Sequence, residues 1–158
     1  MKYIFVLIFL LSCSSTYTVE DRLQRVRIIR VVDGDTFWAK MENGELGKIR
    51  LAYIDAPELS QSYGIYAQYV LDSLIRNKTL LYYHITIDTF HRRVGVCYLP
   101  SLDITVNEFM VNRGMAWAYK YYSPIELQKK MNIAKSKRIG LWRDFMPVSP
   151  YVFRHKLY

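Results

Sequence analysis

The sequence predicts an α+β fold, a five-stranded OB-type β-barrel with about three helices. Five short β-branched runs are separated by turn signals. Apolar residues at helical spacing lie between the third and fourth runs and again after the fifth. The chain has 158 residues, 51% apolar and 23% charged, which is globular composition with room for one cored domain and not comfortably two.

Each element follows from its own stretch. "RVRIIRVVD" (25–33) is the first strand and "TFWAKM" (36–41) the second, with "ENGE" (42–45) as a turn after them. "KIRLAYID" (48–55) is the third, stopped by Pro57. From 63 to 77, Tyr66, Val70, Leu74 and Ala67, Leu71, Ile75 recur at helical spacing. "TLLYYHITI" (79–87) and "RRVGVCYL" (92–99) are two more strands across the polar "DTFH". "ITVNEFMVNRGMA" (104–116) predicts a helix ending at Gly114. Ser123 as cap and Pro124 as first helical residue open the next, which runs to about Arg138. Ile139-Gly140-Leu141 ends it, and Trp142 packs back. Strands closed into a small barrel, with helices added at the end, are an OB-type order.

The N-terminus is separate. Lys2 precedes an apolar run from Tyr3 to Leu11, too short to cross a bilayer and the size of a signal-peptide core. Leu10-Leu11-Ser12-Cys13 resembles a bacterial lipobox, in which the signal is cut before a cysteine that takes a diacylglycerol; an ordinary secretory signal containing Cys13 is the alternative. The expected organisation is a signal peptide at 1–12, a lipidated linker at 13–22, the barrel domain at 23–145 and a C-terminal tail at 146–158. Cys97, in "VGVCYL", is then an unpaired, buried thiol. Two distant cysteines and His84, His91 and His155 make no zinc spacing.

The net charge of +8 suggests a polyanionic partner, nucleic acid or anionic lipid, although a merely soluble basic protein fits it equally. Removing residues 1–12 takes away only Lys2 among the charged groups.

Four pieces carry candidate chemistry: Asp33-Gly34-Asp35-Thr36, Arg50, Asp55-Ala56-Pro57-Glu58, and "DTFHRR" with Arg92 or Arg93. Taken singly, each has a bland reading. Asp33-Gly34 is a strong turn dipeptide because glycine accepts positive φ, and Asp55 to Glu58 could be a turn after a strand. Arg50 could be an exposed strand residue, and the arginine pair could be solvated edge charges. Together they supply what phosphodiester cleavage needs. Hard oxygen ligands suit a Lewis-acid metal, guanidinium forks match phosphate oxygens, and a carboxylate orients or deprotonates water. Arg92 and Arg93 are adjacent on a strand, so at most one faces a common site.

These motifs resemble the thermonuclease, or staphylococcal-nuclease-like, family. Val31 to Thr36 fit V-x-D-G-D-T, and Ile49 to Glu58 fit I-R-L-x-x-I-D-x-P-E without a gap. Asp88 to Arg92 approximate D-x-Y-x-R, and Val106-Asn107 through Val111, Gly114 and Ala116 fit V-N-x-x-x-V-x-x-G-x-A. "AKSKRIGLW" (134–142) resembles the family's closing helix, so the likeness spans roughly 25–143. It implies an OB-fold and a Ca2+-dependent endonuclease that cuts DNA, with RNA as a further candidate, to 5′-hydroxyl and 3′-phosphate products. It implies Asp35, Asp55 and the Ala56 carbonyl as Ca2+ ligands, with Asp33 shaping the turn. Glu58 would be the general base or water orienter, and Arg50 and Arg92 would grip the scissile phosphate. Tyr122 would stack on a base, and Lys120 stands where the family has a second tyrosine. Arg50 and Asp55 are five apart, so a straight strand would set them on opposite faces; the resemblance implies a bend near Tyr53–Ile54. The chain departs from the family pattern at Thr89, Phe90 and His91.

The expected protein is thus a monomeric nuclease held to the bacterial cell envelope through lipidated Cys13. The rival reading is a non-catalytic OB-fold lipoprotein that binds single-stranded nucleic acid with stacked aromatics and a basic groove. A structural envelope lipoprotein is a third.

Overall fold

The computed structural model describes residues 23–119 and 121–156. The expected signal segment, the linker with Cys13, and Lys120 lie outside the described residues. In chain order the elements are β1 (Leu23–Val31), β2 (Thr36–Met41), β3 (Leu46–Leu51), β4 (Ile54–Asp55), α1 (Gly64–Ile75), β5 (Thr79–Ile87) and β6 (Arg93–Tyr98). Then follow α2 (Val106–Asn112), β7 (Trp117–Ala118), α3 (Ile125–Ser136), a 3-10 turn (Gly140–Arg143) and α4 (Pro150–His155).

Five strands close a barrel in the order β1-β2-β3-β6-β5, the OB-type arrangement the sequence predicts. Its pairings are antiparallel except at the seam, where β3 and β6 run parallel, with Ile49 beside Arg93 and Leu51 beside Gly95. Alternation along β2 sends Phe37, Ala39 and Met41 inward and leaves Lys40 in solvent. Ala67, Leu71 and Ile75, one stripe of α1, are buried against the same core, as are Met110 and Val111 of α2. Cys97 is fully buried there, and that burial pushes its thiol well above the ordinary cysteine range.

α2 opens with a capping box: the Thr105 hydroxyl oxygen accepts the Glu108 N–H, and Glu108 accepts the Thr105 N–H. Such a cap is worth about 1 kcal/mol. Gly114 follows the helix at φ +62°, the left-handed turn its position in the sequence predicts. Buried Asn107 knots three segments. Its Nδ2 donates to the Ala52 carbonyl at 2.8 Å and the Gly95 carbonyl at 3.3 Å, and its Oδ1 accepts the Cys97 N–H at 3.1 Å. It thereby fixes the turn after β3 against the seam.

Three local expectations change. The expected single strand 48–55 is broken. Tyr53 adopts φ +67°, and after it β4 leaves the barrel to pair with β7, Asp55 facing Trp117. Pro124, not Ser123, borders α3, and the Ser123 hydroxyl has no hydrogen-bond partner among the described residues. The segment expected as a tail forms α4, with Ser149 capping and Pro150 at its first position.

Candidate active site

Asp33, Asp35, Arg50, Asp55, Glu58 and Arg92 line one open cleft of about 970 Å³ at the mouth of the barrel, with Tyr122 on its rim. The turn before β2 delivers Asp35. There the Asp35 carbonyl accepts the Leu51 N–H at 2.8 Å, and Gln68 of α1 donates to the Val32 carbonyl at 2.8 Å. Gly34 does not use positive φ, contrary to the sequence expectation. Its need is space: a Cβ there would stand 2.6 Å from that of Ala56 and 2.8 Å from that of Ala67. The turn is pressed against both.

The Asp35 carboxylate accepts the Thr36 hydroxyl at 2.9 Å, the Ala56 N–H at 2.8 Å and Arg50 Nη2 at 3.0 Å. The same Nη2 lies 3.2 Å from Asp55 Oδ1, while Arg50 Nη1 donates to the Leu51 carbonyl at 2.6 Å. The bend at Tyr53 is what brings Arg50 and Asp55 to one side. Burial raises the pKa of Asp55 against the lowering pull of its arginine neighbours. Asp33 accepts the Asp35 N–H at 3.0 Å. Its carboxyl is pushed up to about 6, first by burial and then by the Asp35 charge.

Glu58 follows Pro57 outside β4, its side chain 39% exposed, and its N–H donates to Gln61 Oε1 at 2.8 Å. Gly64 lets α1 start directly against the Glu58 carbonyl, which any Cβ would strike. On the far side, Asp88 Oδ1 accepts the N–H groups of Phe90 and Arg92 at 2.9 Å each, and its Oδ2 lies 2.7 Å from Arg92 Nε. Burial acts to raise the Asp88 pKa, but these bonds with Arg92 hold it below the ordinary range. The Arg92 guanidinium also covers the Phe90 ring at 5.2 Å. Arg93 points elsewhere, 2.7 Å from Glu45. Tyr122, 76% exposed, stacks on Tyr119 with centroids 6.2 Å apart. Trp117 instead packs edge-on to Trp142, with Lys135 over both rings.

Among the described residues no three His, Cys, Asp or Glu side chains form a ready metal-ligand cluster. The donors nevertheless fit a hard divalent cation. Asp35 and Asp55 turn oxygens toward a common point, which a guanidinium nitrogen already marks as favourable for positive charge. Two carboxylates leave the remaining positions to water and carbonyl oxygen. The Ala56 N–H donates to Asp35 at 2.8 Å, which sets the Ala56 backbone beside this carboxylate.

Residues 48–144 match the family model described as staphylococcal nuclease homologue. The chain belongs to the staphylococcal nuclease family. It is 39% identical over 132 residues to an uncharacterized endonuclease of Escherichia coli O157:H7, covering 82% of this chain and 84% of that one. It is also 39% identical over 132 residues to an uncharacterized endonuclease of Haemophilus influenzae, covering 82% and 72%. A micrococcal nuclease of Shigella flexneri is 33% identical over 140 residues, covering 82% and 80%.

One residue of this cleft is absent from the sequence-based expectations. Arg154 of α4 lies beyond the residues the family model matches. Its Nη1 is 3.1 Å from Asp55 Oδ1 and 2.8 Å from Glu58 Oε1, and its Nη2 is 2.9 Å from Asp55 Oδ2. Its local signal is Ser149-Pro150, the same pattern that predicts a helix start at Ser123-Pro124.

Proposed function

We propose that this protein is a Ca2+-dependent endonuclease that hydrolyses phosphodiester bonds of DNA, and of RNA as a second substrate class, leaving 3′-phosphate ends. The family and the names of its relatives support a nuclease. The observation that carries the finer reading is the convergence of Asp35 and Asp55 on one guanidinium nitrogen, with Glu58 and Arg92 on the same cleft.

Asp35, Asp55 and a backbone oxygen at Ala56 would hold the cation. When bound, it would supply Lewis-acid polarisation of a phosphoryl oxygen. Glu58, at the cleft mouth where water enters, accepts the proton of the attacking water or orients it toward phosphorus. Arg50 and Arg92 approach from opposite walls. Their planar forks stabilise the charge that builds on the phosphoryl oxygens, and the carbonyl of Leu51 and the carboxylate of Asp88 keep each fork in place. The stacked Tyr119–Tyr122 pair offers ring faces to an unpaired base, worth about 1–3 kcal/mol per base stacked. None of these groups reads a base edge, which suits a phosphate-centred enzyme of low sequence preference.

The test is incubation of the purified chain with plasmid DNA in Ca2+ and in excess chelator. Internal cutting in Ca2+ that stops with chelator is expected. Full activity in chelator overturns the metal reading, and binding without cutting favours the non-catalytic module.

We further propose that Cys13 carries lipid and anchors the domain to the bacterial envelope. The support is the Leu10-Leu11-Ser12-Cys13 pattern behind a short apolar run. Replacement Cys13→Ser is expected to release the protein from the membrane fraction or block processing; unchanged membrane association refutes the anchor.

A further inference from the structure

We propose that α4 is a built-in plug: Arg154 sits on Asp55 and Glu58 in place of the cation, so that metal loading and seating of this helix exclude each other. The inference rests on the metal reading above and adds a competitor from the same chain.

The contact is a forked one. Both guanidinium Nη atoms reach Asp55, one to each carboxylate oxygen, and Nη1 also reaches Glu58 at 2.8 Å. Two of the acidic groups assigned to the reaction are thereby occupied by one positive charge. While it stays, Asp55 has both oxygens engaged by arginines, and a Glu58 oxygen assigned to water holds a guanidinium instead. A guanidinium keeps its charge throughout the ordinary pH range, so the plug does not shed it.

The rest of α4 packs beside the tyrosines of the proposed substrate path. Tyr151 meets Tyr121 edge-on at 6.2 Å, and Tyr121 adjoins Tyr122 at 6.4 Å. His155 lies against the Tyr151 ring at 4.3 Å. One six-residue helix thus leans on the catalytic carboxylates and on the tyrosine wall together.

Docking, and not its own length, holds this helix in place. A helix this short has little stability of its own and depends on its docking contacts. The Arg154 side chain is 39% exposed, against 13% for Arg50. Among the bonds behind it is Gln61 Nε2 donating to the Val148 carbonyl at 3.2 Å, and Gln61 is the residue that also holds the Glu58 N–H. An arginine permanently needed to grip phosphate would predict the opposite behaviour on removal.

Calorimetric titration of the full chain with Ca2+ alone tests this, comparing wild type, Arg154→Gln and Tyr151→Ala. Glutamine retains helix propensity and removes only the charge and fork. Arg154→Gln is expected to bind Ca2+ about fivefold or more tighter, in the usual range of coupling between two sites. Tyr151→Ala, which loosens the seat without touching the carboxylates, is expected to shift affinity the same way by less. Saturating Ca2+ is also expected to increase tryptic cleavage at Arg154 and Lys156 in the wild type. Unchanged or weaker Ca2+ binding in Arg154→Gln, or unchanged cleavage at these sites, overturns the plug while leaving the metal reading standing. Absence of Ca2+ binding in all three proteins overturns both.

Discussion

The inner and outer walls of the cleft hold the same kinds of residue in different ways. On the inner wall the side chains of Asp35, Arg50 and Asp55 are 8%, 13% and 6% exposed. All three lie on or beside strands and are tied to backbone or to one another. On the outer wall Glu58 and Arg154 are 39% exposed and Arg92 25%, and each sits in a loop, beside a strand start or on the short helix α4. Buried charges persist only as a mutually compensating set, because removing one strands the others without solvent. The inner wall is therefore part of the fold, and the outer wall is where the chemistry can be changed without unfolding the barrel.

The largest expected effect is on the inner wall. Arg50→Lys keeps the charge but loses the fork that spans two carboxylates and a carbonyl, and turnover should fall by about 10²-fold or more. Thermal unfolding should shift down with it. A variant with wild-type turnover would erase the distinction between the walls.

On the outer wall, Arg92→Lys should lower turnover by at least about tenfold and leave stability within about 0.5 kcal/mol of wild type. Arg93→Lys, one residue on and paired with Glu45 at 2.7 Å, should change neither. Steady-state kinetics and denaturant melts of both variants check this. Exchanged behaviour would mean that the strand enters the cleft one residue out of register.

A smaller effect sharpens the cost of inner-wall burial. The folded Asp33 carboxyl titrates at about 6, above its ordinary 3.8. The folded state therefore holds the extra proton between these values, and stability falls as pH rises through that window. Asp33→Asn keeps an oxygen for the Asp35 N–H and removes the ionisation. It should raise stability by on the order of 1–2 kcal/mol at pH 7.5 in chelator, with the gain shrinking as pH falls toward 4. A gain independent of pH would assign the effect to something other than ionisation.

Much of the barrel was legible because local pattern and global arrangement agree. Alternation in "TFWAKM" and the helical stripe Ala67, Leu71, Ile75 each point to the face that is buried. The inner-wall residues were legible as motifs, yet their meeting depends on the left-handed Tyr53, which no propensity of tyrosine announces. Gly34 was recognised as necessary for the wrong reason. Its neighbours Ala56 and Ala67 come from elsewhere in the chain, and close approach between distant segments leaves no local signature. Ser123-Pro124 and Ser149-Pro150 are the same dipeptide, but only the second caps in full, since the Ser149 hydroxyl oxygen accepts the Val152 N–H and the Ser123 hydroxyl accepts no backbone N–H of its helix. Arg154 was invisible because no pattern in the sequence links it to Asp55 across a separation of 99.

The parallel seam between β3 and β6 has a consequence for when the protein becomes dangerous to nucleic acid. Hairpins such as β1–β2 form from neighbouring chain, but the seam joins residues 49–51 to 93–95 and waits for everything between them. Such long-range closure is slow and comes late in folding. Arg50 lies on one lip of the seam and Arg92 immediately before the other, so the two halves of the proposed phosphate grip belong to separate pieces of chain until the barrel shuts. A partly folded molecule, however much local structure it has gained, holds one arginine without its counterpart. Competence thus arrives in one step with barrel closure, and a chain still unfolded carries no working cutter.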